Sequence, residues 1–287
     1  MLFLLLSILS STSLVLIFKL FGKWNVSISQ AIVFNYFTAA ILGFILDGMS
    51  IPVSEIPEKP WFFSIFIFGI GFVTFFNILG ISTQKVGITI ATVAFKMCMV
   101  IPVIAAVFLY SDSVTFLKVA GIILACVAII MASVKKEKHE VEKKYLFLPV
   151  LLFFGSGFLD TYFKYTEKNY IHESEANLFC SLAFLVAGSV GFLYLLFTVF
   201  TGKAKFEAKS IWWGVLLGIP NYASLYFLFK ALRMEGFESS VVFPLNNMGI
   251  VAASALSAFF IFREKLSPLN WAGIALAIVS IAMIAWA

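Results

Sequence analysis

The chain has 287 residues, of which 62% are hydrophobic and 12% charged, with 34 phenylalanines and a formal net charge of +5. A soluble domain carries about a quarter charged residues, so there is too little polar surface here to face water, and lipid is the expected solvent. The charges fall in short segments between apolar runs and not on one basic face, which excludes a nucleic-acid-binding surface.

A membrane-spanning helix needs about 20 mostly apolar residues, and runs of this kind predict ten spans. The first five cover residues 1–21, 28–47, 60–83, 86–110 and 114–134. The chain is apolar from its start without a basic leader, so the first run is expected to be a helix and not a cleaved signal peptide. Span 2 carries Asn35 and Tyr36, and span 3 carries Thr74 and Asn77. Span 4 holds Lys96 about midway along an apolar run. A lysine at the bilayer centre is unfavourable by roughly 2.5–3.5 kcal/mol on insertion scales. Thr89, Thr92 and Lys96 share one helix face, which reads as the wall of a wet cavity. A carboxylate or phosphate on a substrate is then the natural partner of Lys96. The competing structural reading pairs the lysine with helix carbonyls or a single acid. Pro102 is a candidate hinge in the same span.

A charged linker over residues 135–144 precedes the second five spans, at 145–167, 173–200, 210–233, 236–262 and 266–287. Span 6 contains Asp160, with Lys164 at the spacing of a helical ion pair. Local neutralisation is one reading of that pair. The alternative makes Asp160 a proton-coupling carboxylate, because acids at membrane depth are the usual relays in pumps. Span 8 has Pro220-Asn221-Tyr222, and span 9 has Pro244 followed by Asn246 and Asn247. A proline removes a backbone donor and frees a carbonyl one turn earlier, so Pro220 and Pro244 are candidate kinks beside polar groups. Taken together, Asn35, Tyr36, Asn77, Thr92, Lys96, Asn221, Tyr222, Asn246 and Asn247 are expected to line a substrate cavity.

Cys98, Cys126 and Cys180 lie inside apolar runs at spacings that match no zinc motif, and they read as small buried hydrophobes. No metal site is expected. The two histidines, His139 and His172, fall in loops, and no His-Glu-x-x-His, Gly-x-Ser-x-Gly or phosphate-binding loop is present. Neither an enzyme, a cofactor nor a nucleotide-driven motor is therefore expected.

The two halves repeat. Residues 120–131 align without a gap on 272–283, eight of twelve positions being identical. Asp112 and Glu264 stand upstream in the same register. Ser11, Leu14, Phe18 and Lys19 match Ser156, Leu159, Phe163 and Lys164, and Gly69-Ile70 matches Gly218-Ile219. Five spans per repeat is an odd number, so the second copy enters the membrane inverted. On this ruler Lys96 corresponds to Asn247. The stretches Gly121-x-x-x-Ala125 and Gly273-x-x-x-Ala277 read as close-packing faces. The Lys/Arg bias places the linker in the cytoplasm and both termini outside.

The stretch Phe243-Pro244-Leu245-Asn246-Asn247, a small-residue helix, then Phe262-Arg263-Glu264-Lys265-Leu266-Ser267 and Asn270-Trp271-Ala272-Gly273 resembles the drug/metabolite transporter superfamily, and within it the EamA-like family. The first copy, Leu109 to Val114, departs from it with Asp112 for the acid and no Leu-Ser. The resemblance implies an all-α polytopic membrane protein of ten transmembrane helices in two inverted five-helix repeats, residues 1–134 and 145–287. It also implies a secondary transporter, in the bacterial cytoplasmic (inner) membrane, of a small polar, anionic or zwitterionic, amino-acid-like metabolite, and export. The family moves amino acids, sugars, nucleotide derivatives and drugs. A broad drug/metabolite exporter, a channel-like permease and a membrane scaffold are the competing classes. The expected partners are the small-molecule substrate and the lipid bilayer, with monomer and homodimer both open.

Overall fold

The structure is a computed structural model that describes residues 1–47, 51–86, 88–112, 114–133, 143–234, 239–263 and 266–285. Most of the charged linker (134–142), together with Glu264 and Lys265, lies outside the described residues, as does the side chain of Thr89. Among the described residues the secondary structure is entirely helical. The α-helices are α1 (Leu2–Trp24), α2 (Ile28–Asp47), α3 (Phe62–Lys85), α4 (Ile88–Met97), α5 (Val100–Tyr110), α6 (Phe116–Ser133), α7 (Phe147–Tyr170), α8 (Ala176–Phe200), α9 (Lys209–Leu232), α10 (Ser239–Phe262) and α11 (Pro268–Ala285). Short 3-10 turns occupy Val53–Glu58, Lys143–Tyr145 and Glu173–Glu175.

Among the described residues, eight segments are long and apolar enough to cross a membrane, α4 and α5 together forming one of them. Ten were expected. The α11 run, Pro268–Ile284, is shorter than the rest. Helix α7 is not among the eight, because its second half carries Asp160, Lys164, Glu167 and Lys168. Phenylalanine, leucine and isoleucine side chains on many helices are exposed, such as Phe63, Phe108, Phe116 and Phe200. A surface of that kind is stable against hydrocarbon and not against water.

The chain forms two compact units. The first comprises Met1–Thr12, Ile78–Lys164 and Lys230–Ala287. Its centre is the pairing of α6 with α11, where Ala125, Ala128, Ile129, Ile274 and Ala277 are buried with Met99 and Met248. This contact is reciprocal. A methyl on Gly121 would meet Met283 and Ile284, and one on Gly273 would meet Met131 and Ala132. Small residues at these points let the backbones approach closely. Hydrogen bonds reinforce the crossing: Ser280 Oγ donates to the Gly121 carbonyl at 2.6 Å, and Asn270 Nδ2 donates to the Met131 and Ala132 carbonyls, each at 3.1 Å.

The second unit comprises Ser13–Asn77 and Tyr165–Phe229. Helices α2 and α8 form its axis, with Ile32, Tyr36, Ala39, Ala40, Val73, Phe184, Ala187 and Tyr222 in the core. Helix α8 ends in a Schellman turn: Lys203 N–H reaches the Thr198 carbonyl and Gly202 N–H the Val199 carbonyl, with Gly202 in the left-handed region at φ 69°. The start of α8 is clamped by Glu175, which accepts from the buried Trp61 indole at 2.7 Å and pairs with Lys59 at 3.0 Å.

Candidate functional site

The site in the first unit starts from a broken helix. The fourth predicted span is continuous in sequence but divides into α4 and α5, with Cys98 and Met99 between them. Pro102 explains the break. In an unbroken helix its N–H would go to the Cys98 carbonyl, but proline has none and its ring clashes with that carbonyl. Ile101 N–H takes the Cys98 carbonyl instead, at 3.0 Å, in a tighter turn. The helix is therefore interrupted just before Pro102. Helices α9 and α10 run on through Pro220 and Pro244, so no discontinuity arises at either of those two candidates.

Four groups gather at the break. Lys96, in the last turn of α4, is half-buried and donates from Nζ to Asn247 Oδ1 on α10 at 3.4 Å. Cys98 directs its thiol to the Phe95 carbonyl at 3.0 Å and to Asp160 Oδ2 on α7 at 3.6 Å. Asp160 and Lys96 also interact through their charges. Gly157, one turn before Asp160, makes this possible: a Cβ there would stand 2.4 Å from Ile101 Cδ1 and 2.8 Å from its Cβ. Helix α7 thus lies directly against the start of α5. Thr92 is half-buried one turn before Lys96 on α4, while Val93 and Met97 pack on the α6–α10–α11 core.

The arrangement presents an ammonium, a carboxylate, an amide and a thiol inside one apolar unit. Opposite charges at membrane depth offset one another only with good partners, and together they offer complementary contacts to a small solute carrying both charges. Asn246, next to Asn247, is buried with its Oδ1 unpartnered among the described residues. The expected Asp160–Lys164 helical pair is replaced: Lys164 Nζ donates to the Leu232 carbonyl at 3.0 Å, and Asp160 takes the Cys98 thiol. The backbone carbonyl at the end of α9 is a nearer partner for the long lysine side chain than the acid one turn back. Cys98 is buried, as read from sequence, and its thiol also lies in the cluster. Its one signal was its place four residues before a proline.

The other expected residues belong to the second unit. Asn35 is 3% exposed and its Oδ1 has no partner among the described residues. Asn221 is buried with Nδ2 unpartnered in the same sense. Tyr222 donates its hydroxyl to Asn177 Oδ1, and Asn177 in turn donates to the Gly43 carbonyl at 3.0 Å, so this phenol ties α9, α8 and α2 together. Tyr36 and Asn77 line one small cleft with Gln30. Gln30, absent from the sequence expectations, donates Nε2 to the Lys205 carbonyl at 2.7 Å and accepts from Glu207 N–H at 2.9 Å. It holds the segment after α8 against the start of α2.

Three comparisons bear on this geometry. The model of the EamA-like transporter family matches residues 143–286. An uncharacterized protein of Haemophilus influenzae is 26% identical over 277 residues, covering 93% of this chain and 92% of that one. A protein of known crystal structure shares the fold with a TM-score of 0.78 at 15% identity, over 98% of this chain and 94% of its own.

Proposed function

The chain belongs to the EamA-like transporter family, and from that premise we propose that it is a secondary transporter of a small amino-acid-like solute, recognised as a zwitterion by the cluster at the α4–α5 break. As a member it is an integral membrane protein and a transporter of the drug/metabolite type. The observation that supports the substrate reading is that Lys96, donating to Asn247, and Asp160, accepting from Cys98, lie at the same helix break in one unit. A solute carboxylate takes Lys96 from Asn247, and a solute ammonium takes Asp160 from the Cys98 thiol. Neither charge of the protein is then left unpaired, and neither charge of the solute is buried alone.

The ten-span architecture in two inverted repeats, 1–134 and 145–287, belongs to the same proposal. The reciprocal contact of Gly121 and Gly273 supports it, because it relates α6 and α11 by an exchange of equivalent residues. Lys96 and Asn247 then hold equivalent positions in the two repeats. Alternating access exposes the cluster to either side in turn, with net export across a bacterial cytoplasmic membrane and with Asp160 as the coupling carboxylate.

Counterflow in proteoliposomes tests the reading. Vesicles loaded with neutral amino acids are expected to accumulate labelled amino acid saturably, and Lys96→Ala is expected to lower uptake at least tenfold. Uptake of organic acids or phosphate but not of amino acids would remove the zwitterion. Ohmic flux without counterflow would replace the transporter by a channel.

A further inference from the structure

The second unit is electrically polarised along its length. One end gathers the close of α1, the start of α2, the end of α8 and the start of α9. Gln30 joins these elements through Lys205 and Glu207, Lys209 Nζ donates to the Trp24 carbonyl at 3.4 Å, and Trp213 packs edge-on against Phe21 at 5.6 Å. The charged residues at this end are Lys19, Lys23, Lys203, Lys205 and Lys209 against one acid, Glu207. At the opposite end, where α2 and α7 close and α3 and α8 begin, stand Asp47, Glu55, Glu58, Glu167, Glu173 and Glu175 against Lys59 and Lys168. The acid of the basic end pairs with Lys209 at 3.5 Å. Among the described residues no carboxylate forms an ion pair with Lys23, Lys203 or Lys205, and all three lysines are exposed.

The basic end also exposes aromatic rings: Trp24 is 60% exposed, Trp212 77% and Phe206 49%. Tryptophan at the end of a spanning helix sits at headgroup level, where its apolar body meets lipid and its N–H meets water. Lysines beside it reach outward on their apolar stems, to the depth of the lipid phosphates. The backbone that carries them is pinned. Lys203 and Ala204 N–H both reach the Thr198 carbonyl, and Gln30 holds the Lys205 carbonyl and the Glu207 N–H. Little ordering then remains to oppose binding. A soluble anion gains little from exposed lysines in water, whereas a phospholipid adds acyl chains that lie along the exposed rings. We propose that this end of the second unit is a docking surface for anionic phospholipid, with Lys23, Lys203 and Lys205 on the headgroup phosphates and Trp24, Trp212 and Phe206 on the chains. The acidic end repels the same headgroups. The surface rests on the chain being a membrane protein and not on the solute reading, so Lys96→Ala is expected to leave it unchanged.

Native mass spectrometry of the full-length protein in detergent, titrated with phosphatidylglycerol or with phosphatidylcholine of the same acyl chains, counts the bound lipid. The parent is expected to bind phosphatidylglycerol at least tenfold more tightly than phosphatidylcholine. The triple variant Lys23→Gln/Lys203→Gln/Lys205→Gln, altered only at exposed positions, is expected to lower phosphatidylglycerol affinity at least fivefold. Lys59→Gln/Lys168→Gln, at the acidic end, is expected to leave it unchanged. Gln30→Ala removes no charge, yet is expected to weaken phosphatidylglycerol binding several-fold because the segment bearing Lys203 and Lys205 is released. Sodium phosphate is expected to displace no more lipid than sodium chloride of the same ionic strength. Equal binding of the two lipids, full affinity in the triple variant, an equal loss in Lys59→Gln/Lys168→Gln, no effect of Gln30→Ala, or displacement by phosphate beyond that by chloride would each overturn the proposal.

Discussion

Ser111 and Arg263 hold the same left-handed backbone, with φ of 56° and 53°, and each stands one residue before the acid that the two halves share. Ser111 closes α5, its N–H reaching the Ala106 carbonyl, and Arg263 follows the last residue of α10. A side chain in this conformation costs about 1–2 kcal/mol against the right-handed one. Ser111→Gly and Arg263→Gly are each expected to raise stability, by up to about 1 kcal/mol after the added freedom of the unfolded glycine is offset. Thermal unfolding in detergent measures both, and a lowered midpoint in either would mean that the side chain has a role the backbone does not reveal.

Lys96 and Asp160 should not behave as independent residues. Their charges act on each other across the break, while each keeps a neutral hydrogen-bond partner of its own, Asn247 for Lys96 and Cys98 for Asp160. Lys96→Gln and Asp160→Asn each remove that attraction, and the second substitution has none left to remove. The double variant is therefore expected to be more stable than the sum of the single effects predicts, by about 1–3 kcal/mol. A double-mutant cycle on unfolding midpoints checks this, and strict additivity would separate the two charges.

Gly157→Ala addresses the closeness of α7 to the break. The new methyl would stand 2.8 Å from Ile101 Cβ, a point near the backbone that a rotamer change does not relieve. Overpacking of this kind costs about 1–3 kcal/mol. As α7 moves away, Cys98 loses Asp160, and its labelling by N-ethylmaleimide is expected to accelerate. Unchanged labelling would place the thiol outside the influence of α7.

Glu175 offers a test in the other unit. Glu175→Ala leaves the fully buried Trp61 indole N–H without its acceptor, an expected loss of about 1–3 kcal/mol. Glu175→Gln keeps an acceptor and should lose less, even though the pair with Lys59 goes with the charge. Tryptophan emission and the unfolding midpoint together separate the two variants.

The legible part of this protein was its ladder of helices. Apolar runs report depth in lipid, and α2, predicted at 28–47, is found at Ile28–Asp47. The repeat set Lys96 level with Asn247 in sequence, and the Lys96 ammonium donates to the Asn247 side chain at 3.4 Å. Pro102 marked a hinge within the fourth span, but apolarity alone does not separate α4 from α5, because the residues around it are as apolar as an unbroken span requires. Nor does sequence link Cys98 with Asp160, or Lys164 with the Leu232 carbonyl. Those contacts depend on where helices cross, and periodicity within one helix is silent about its neighbour. At Pro220 and Pro244 the helices run on, since a missing donor breaks a helix only when nothing else holds it together.

The reciprocal glycine contact has a consequence for how the halves diverge. Two identical chains meeting in this way would suffer every substitution twice, once in each partner, and a cation at the level of Lys96 would face a second cation. One chain that carries both halves receives each change once. It keeps glycine on both sides of the crossing, where the fit must stay mutual, while on the proposed repeat an amide stands at one member of the equivalent pair and a charge at the other. Selectivity becomes available through this loss of likeness, at the one level where a symmetric pair would repel itself.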